Sequence, residues 1–141
     1  MVASNTNAAP NILAIDTSGD YCSLALQYQN RVWQKHVNAP KQQSEIILPL
    51  LKELLSEAHC KIADLHLIAF GAGPASFTGT RLAASIVQGL ALPFHLKVLP
   101  IATLRALASQ AFRLYQAKRI IIAEDARMQK IYFAAYAVDK H

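Results

Sequence analysis

Charge is scarce in this chain. Only 16% of its 141 residues are Asp, Glu, Lys or Arg, against 53% hydrophobic. An average soluble domain carries about 25% charged residues, and a disordered chain needs the opposite imbalance. A core-bearing protein is expected, and the length suits one compact domain rather than two. Long apolar runs are missing too, since no window approaches the roughly 18 residues of a membrane span. Cysteine is limited to Cys22 and Cys60. They form no C-x-x-C or other metal spacing and read as reduced, buried residues of a cytoplasmic protein. Residues 1–10 hold no Lys, no Arg and no apolar stretch, so they read as a short disordered leader and not as a signal peptide. His36, His59, His66, His95 and His141 include no i, i+4 pair and no His-Glu-x-x-His, the pattern a zinc hydrolase needs. No G-x-S-x-G elbow is present either.

The charge that exists is unevenly placed. Residues 1–70 carry a net −1 and residues 71–141 a net +6, the excess including Arg105, Arg113, Lys118 and Arg119. Such a basic half either favours nucleic acid or an acidic partner, or is a solvated surface. No basic run is interleaved with aromatics, as a nucleic-acid face would have.

Hydrophobic patterning predicts a mixed α/β layer. Residues 12–15, 22–26 and 31–37 read as three short strands in an antiparallel meander, the first two joined by the turn cluster Asp16, Thr17, Ser18, Gly19, Asp20. Residues 44–58 read as a helix whose apolar stripe is wider than one core contact needs, with Pro49 tolerated early or kinking it. A strand over 65–71, a helix over 78–92 stopped by Pro93, a strand over 97–99 and a helix over 101–116 follow. Strands over 120–124 and 131–138 close the chain. The helix over 78–92 is rich in small residues (Gly79, Ala83, Ala84, Ser85, Gly89 and Ala91), which lets another helix approach closely, within the chain or from a partner.

The end of the chain echoes its beginning. Ile12-Leu13-Ala14-Ile15-Asp16 can be laid on Ile121-Ile122-Ala123-Glu124-Asp125, each an apolar strand that ends in Asp and leads through a turn to a second apolar strand. The echo is either a chance match or a duplicated unit whose second copy opens near residue 119.

Two segments are candidates for chemistry. Asp16-Thr17-Ser18-Gly19 closes the first strand, where a carboxylate and hydroxyls can hold a hydrated metal or phosphate, although the same residues make ordinary hairpins. Residues 71–81, with Gly73, Ser76, Thr78, Gly79 and Arg81, join a buried strand to a helix N-terminus. Backbone N–H groups and the helix dipole favour an anion there, and Ser76 or Thr78 can cap the helix. Arg81 is electrostatically misplaced in a first turn; a bound anion or a carboxylate across an interface would explain it. The alternative is a tight turn before a capped helix. No Gly-Lys-Ser/Thr follows, so this is not a Walker loop.

Together these segments resemble the TsaB (YeaZ) family. The resemblance rests on Ile12-Leu13-Ala14-Ile15-Asp16-Thr17, on Gly73-Pro74-Ala75-Ser76-Phe77-Thr78-Gly79-Thr80-Arg81, on Gln88-Gly89-Leu90-Ala91, and on Asp125-Ala126-Arg127-Met128 followed by Ile131-Tyr132. The sequence departs from the family in Gln43, where His is frequent, in Ala75 for Gly, and in Thr80 for an apolar residue. The resemblance implies an actin-like ATPase (RNase H-like) lobe over 11–118 and the first hairpin of a second, incomplete lobe over 119–141. It implies a non-catalytic subunit of the bacterial machinery that makes threonylcarbamoyladenosine at position 37 of tRNA. Such a subunit pairs with the catalytic paralogue TsaD, or with itself, and is joined by the ATPase TsaE. ATP and divalent metal then belong to the partners, and tRNA is met only through the complex. The implied interface lies on the helices over 44–58 and 78–92, with Ile47, Leu51, Leu54, Arg81, Ala84, Ser85 and Gln88. The alternative is an ATP- or metal-dependent enzyme of the same superfamily, as the glycoprotease name suggests. Because a lone hairpin is marginal and an unpaired apolar strand is an aggregation hazard, the expectation is a fragment or truncated product whose exposed apolar strand over 131–138 is covered by another copy or a crystal neighbour.

Overall fold

The computed structural model describes residues 9–138. Most of the leader expected over 1–10, and His141, lie outside the described residues. The first three strands, β1 (Ile12–Asp16), β2 (Tyr21–Tyr28) and β3 (Arg31–Asn38), form the expected antiparallel meander. After α1 (Gln43–Glu57) the chain makes a 3-10 turn (Ile62–Asp64) and enters β4 (Leu67–Gly71), parallel to β1. Helix α2 (Phe77–Ala91) crosses over to β5 (Lys97–Ile101), parallel to β4. The sheet order is β3-β2-β1-β4-β5, so β3 and β5 are its edges. Helix α3 (Thr103–Tyr115) then leads to a separate two-stranded sheet of β6 (Arg119–Arg127) and β7 (Lys130–Ala137).

Strand alternation places the core. Leu13, Ile15, Cys22, Leu24, Leu26 and Ile68 point to one face of the large sheet, as a period of two requires. Helices α1 and α2 cover that face with Ile47, Leu51, Leu54, Ala83, Val87 and Ala91. In α2 the buried positions Gly79, Ala83, Val87 and Ala91 recur every fourth residue, a single stripe of small side chains. On the opposite face Ala14, Ala25 and Ala69 lie side by side across three strands, and the N-terminal half of α3 borders a cavity over them. Pro49 lies inside α1 on its exposed side, and the helix continues past it.

Two tethers fix the layer. Lys35 Nζ on β3 donates to Glu53 Oε1 at 2.6 Å and Glu57 Oε1 at 2.7 Å, tying the meander to α1. The hydrogen bonds to Glu53 and then Glu57 push the Lys35 ammonium above its ordinary value, and the Lys35 bond holds the Glu53 carboxyl below its own. Cys22 and Cys60 are free and buried. Burial pushes both thiols up, with Asp64 adding to the effect at Cys60. No helix among the described residues is long and apolar enough to cross a membrane.

The echo between the two ends of the chain holds in geometry. β1 and β6 each open an antiparallel hairpin. At the end of each, an aspartate Oδ1 accepts the N–H two residues on: Ser18 to Asp16 at 2.8 Å, Arg127 to Asp125 at 2.7 Å. Leu13 and Ile15 face inward on β1, and Ile122 and Glu124 occupy the same parity on β6.

Candidate functional site

The turn after β1 and the start of α2 form one clasp. Thr17 is wholly buried, and its Oγ1 donates to the Gly79 carbonyl at 2.7 Å. Ser76 N–H donates to the Ser18 carbonyl at 3.1 Å, and Thr80 N–H to the Ser76 carbonyl at 2.9 Å. Ser76 caps α2, its Oγ accepting Gly79 N–H at 3.4 Å. The backbones meet so closely that a Cβ on Gly79 would lie 1.9 Å from the Thr17 carbonyl oxygen. Only glycine fits there. The Gly73 carbonyl accepts Thr103 N–H at 2.9 Å, so α3 starts from the same loop.

This geometry divides the residues expected to hold an anion. Thr17, Ser76 and Gly79 are together, but the N–H groups of Ser76, Gly79 and Thr80 are each bonded within the chain. Asp16 Oδ1 instead accepts the Ser18 N–H at 2.8 Å. Its carboxylate lies over Gly71 of β4, where a Cβ would come within 2.8 Å of it, and it lines the cavity of about 500 Å³ under α3 together with Ser23, His36 and Thr103. Ser76, Thr78 and Gly79 instead border a cleft of about 790 Å³ between the first turn and the second hairpin, with Ser18, Glu124 and Arg127. Arg81 stacks over the Phe77 ring at 3.8 Å, a cation–π contact one helical turn apart on the surface. Among the described residues, no three of His, Cys, Asp and Glu converge as a metal-binding group.

The expected interface residues also divide. Ile47, Leu51 and Leu54 are 0%, 4% and 0% exposed, packed within the core on the inner side of α1, which lies on β2 and β3. This corrects their assignment to a partner contact, because the sheet of the same chain already covers them. Arg81, Ser85 and Gln88 lie exposed on the outer side of α2, with Ala84 half-buried beside them. Phe77, 68% exposed, extends that surface. Sequence reasoning passed over it, although an aromatic in the first turn, four residues before an arginine, was a readable signal. Thr103, buried with its Oγ1 lacking a partner, was missed because nothing in a lone helix-start threonine distinguishes it from a cap.

The family described as "TsaD: tRNA N6-adenosine threonylcarbamoyltransferase" matches residues 37–141. A curated relative, the tRNA threonylcarbamoyladenosine biosynthesis protein TsaB of Haemophilus influenzae, is 41% identical over 92% of this chain. The Escherichia coli protein of that name is 38% identical over 92% of it. The chain belongs to the TsaB (YeaZ) family. The solved structure of YeaZ from Pseudomonas aeruginosa superposes with a TM-score of 0.88 at 37% identity, covering 94% of this chain and 62% of that one. The α/β architecture expected from the sequence, an actin-like (RNase H-like) lobe, is therefore the fold of the large sheet and its helices. The chain spans 55% and 56% of the lengths of the two TsaB relatives.

Proposed function

We propose that this chain is an accessory subunit in the biosynthesis of tRNA threonylcarbamoyladenosine at position 37, acting in the cytoplasm by pairing with a TsaD-type catalytic paralogue. The observation that carries the reading is the identity of 38–41% to proteins of that pathway across 92% of the chain. The surface that fits the pairing is the outer side of α2, where Arg81, Ser85 and Gln88 are exposed around Gly89. Small residues there let a second helix approach closely, and Arg81, held by Phe77, is available to a carboxylate across the contact. The clasp of Gly79 on Thr17 supports this use, because it fixes the start of α2 as a rigid platform. In this reading the TsaE ATPase joins the pair, ATP and divalent metal work on the partners, and tRNA is bound by the assembled complex.

Co-expression with a TsaD paralogue tests the proposal. The expected result is co-purification that Ser85→Glu and Gln88→Glu abolish while the isolated variants keep the circular dichroism of the parent chain. Pairing that survives both substitutions together with Arg81→Glu would refute the assignment to α2.

A further inference from the structure

Residues 65–123 contain no Asp or Glu, while the same span holds Arg81, Lys97, Arg105, Arg113, Lys118 and Arg119. In the sequence this charge looks scattered; the fold gathers part of it on α3. Thr103, Ala106 and Gln110 turn one side of that helix toward the cavity over the large sheet. Leu104 and Ala108 are buried, and the helix packs on β6 and β7. Arg105, Ser109 and Arg113 recur every fourth residue on the remaining side, and all three are exposed. Residues four apart are neighbours along one helix face. The two arginines stand about 12 Å apart along the axis, with the small side chain of Ser109 between them. Lys118, also exposed, carries positive charge past the helix end.

The fold itself does not account for this row. Arg113 lies in the last turn of α3, where a cation complements the helix dipole. Arg105 is the third helical residue and stands at the opposite end, in a first turn that holds no acid, so its charge opposes the dipole there. Among the described residues the ion pairs are those of Lys35 with Glu53 and Glu57, and neither arginine has a carboxylate partner. A bound anion would balance both. We infer that the outward row of α3 contacts the backbone phosphates of RNA. Guanidinium groups match phosphate oxygens with paired donors, and a serine hydroxyl between them is a further donor to the same backbone. The row holds no aromatic, so it positions RNA through phosphates and stacks no base. An acidic protein surface fits less well, because the core of a protein contact is apolar and depleted of charge. The choice of RNA rests on the function proposed above, in which the assembled complex binds tRNA; the row gives this chain a direct part in holding it.

Fluorescence anisotropy of a labelled, unmodified tRNA, titrated with the full 141-residue chain at salt between about 50 and 200 mM, tests this. The expected result is binding that weakens as salt rises. The steepness of log affinity against log salt should drop by about one in Arg105→Glu and by about two when Arg113→Gln is added. Arg105→Glu places an acid at the positive end of α3, so its urea midpoint should match or exceed that of the parent. Weaker RNA binding by a chain that is no less stable separates a contact from misfolding. Should Arg105→Glu lose its fold by circular dichroism, Arg113→Gln alone carries the same test. Lys52→Gln, exposed on α1 across the sheet, should keep the parent slope. The titration needs no partner, so it decides the RNA face separately from co-purification with a TsaD-type paralogue, which tests the function itself. A parent chain without salt-dependent binding, α3 variants with the parent slope, or an equal loss in Lys52→Gln overturns the inference. Displacement of the tRNA by polyglutamate at equal charge concentration would assign the row to an acidic protein and overturn it as well.

Discussion

Replacing Gly79 by alanine tests the clasp directly. The new Cβ would sit 1.9 Å from the Thr17 carbonyl oxygen and 2.9 Å from its carbon, backbone atoms with no rotamer to yield. Relief requires the start of α2 to withdraw by about an ångström, because carbon and oxygen rarely approach below about 3 Å in packed interiors. That movement breaks the 2.7 Å bond from Thr17 Oγ1 and the 3.1 Å bond from Ser76 N–H. Each lost bond costs about 1 kcal/mol, and more where a buried partner is left unpaired, as Thr17 would be. Loosened packing of Ala83 and Val87 beneath adds about 1 kcal/mol or more. Removing a glycine from a helix returns up to about 1 kcal/mol. The net expectation is a loss of roughly 2–3 kcal/mol, a large share of the 5–15 kcal/mol by which such domains are stable. Gly89, ten residues on in the same helix, is the control. Nothing lies within 4 Å of a Cβ there, so Gly89→Ala should stabilise by about 0.5–1 kcal/mol. Urea denaturation followed by circular dichroism measures both. If Gly79→Ala unfolds within 0.5 kcal/mol of the parent chain, or the two substitutions shift stability in the same direction, the close approach is not what holds α2 to the turn.

Removing the Lys35 tether should have a pH signature. The Glu53 carboxyl is held below its usual value near 4.5, so its contribution is present above that value and lost as pH falls through the folded-state pKa. Lys35 is raised above 10.5, so its contribution is present below that value and lost as pH rises through its folded-state pKa. The difference in melting temperature between Lys35→Met and the parent should be widest between those limits and shrink beyond both; a difference that stays flat from pH 3 to 8 would contradict the pairing. Cys22 and Cys60, buried with their thiols pushed up, should react with a thiol reagent only as fast as the protein opens, and protection should vanish in denaturant. Rapid stoichiometric labelling of Cys22 at pH 7 would place β2 elsewhere than under α1.

Much of this fold was readable from the chain because its signals are local. Short apolar runs marked β1, β2 and β4, and turn residues marked the two hairpins, so the order of all ten main elements follows from pattern alone. The repeated Asp at positions 16 and 125 turned out to make the same turn bond in both hairpins. Contacts between segments far apart in sequence were less legible. The pattern could place Thr17 and Gly79 near chemistry, yet it could not show that they serve each other at 2.7 Å. Nor could it show that Asp16 would turn toward Gly71. A polar side chain in a turn can be satisfied by a ligand or by the chain, and only the path of the second segment decides.

The two helices that looked over-supplied with contact surface show why such patterns mislead. In α1 the excess was aliphatic. Ile46, Leu50 and Leu55 pack partly buried against the same core that encloses Ile47, Leu51 and Leu54, so a wide stripe meant a deeply seated helix. In α2 the excess was of small residues, and it separates into two rows. Gly79, Ala83 and Ala91 face inward and let the helix settle on β1 and β4, while Ser85 and Gly89 face outward. Aliphatic surplus is free energy that folding itself consumes, since each buried Leu or Ile stabilises by about 1.5–3 kcal/mol. A small exposed residue gains little from folding within the chain, and its size matters only to something that comes close. For a helix on a single sheet, an outward row of small residues is therefore a better mark of a partner surface than an outward-looking row of leucines. On that ground the pairing proposed above is assigned to α2, and charge introduced at Ser85 should weaken it without lowering the urea midpoint of the isolated chain.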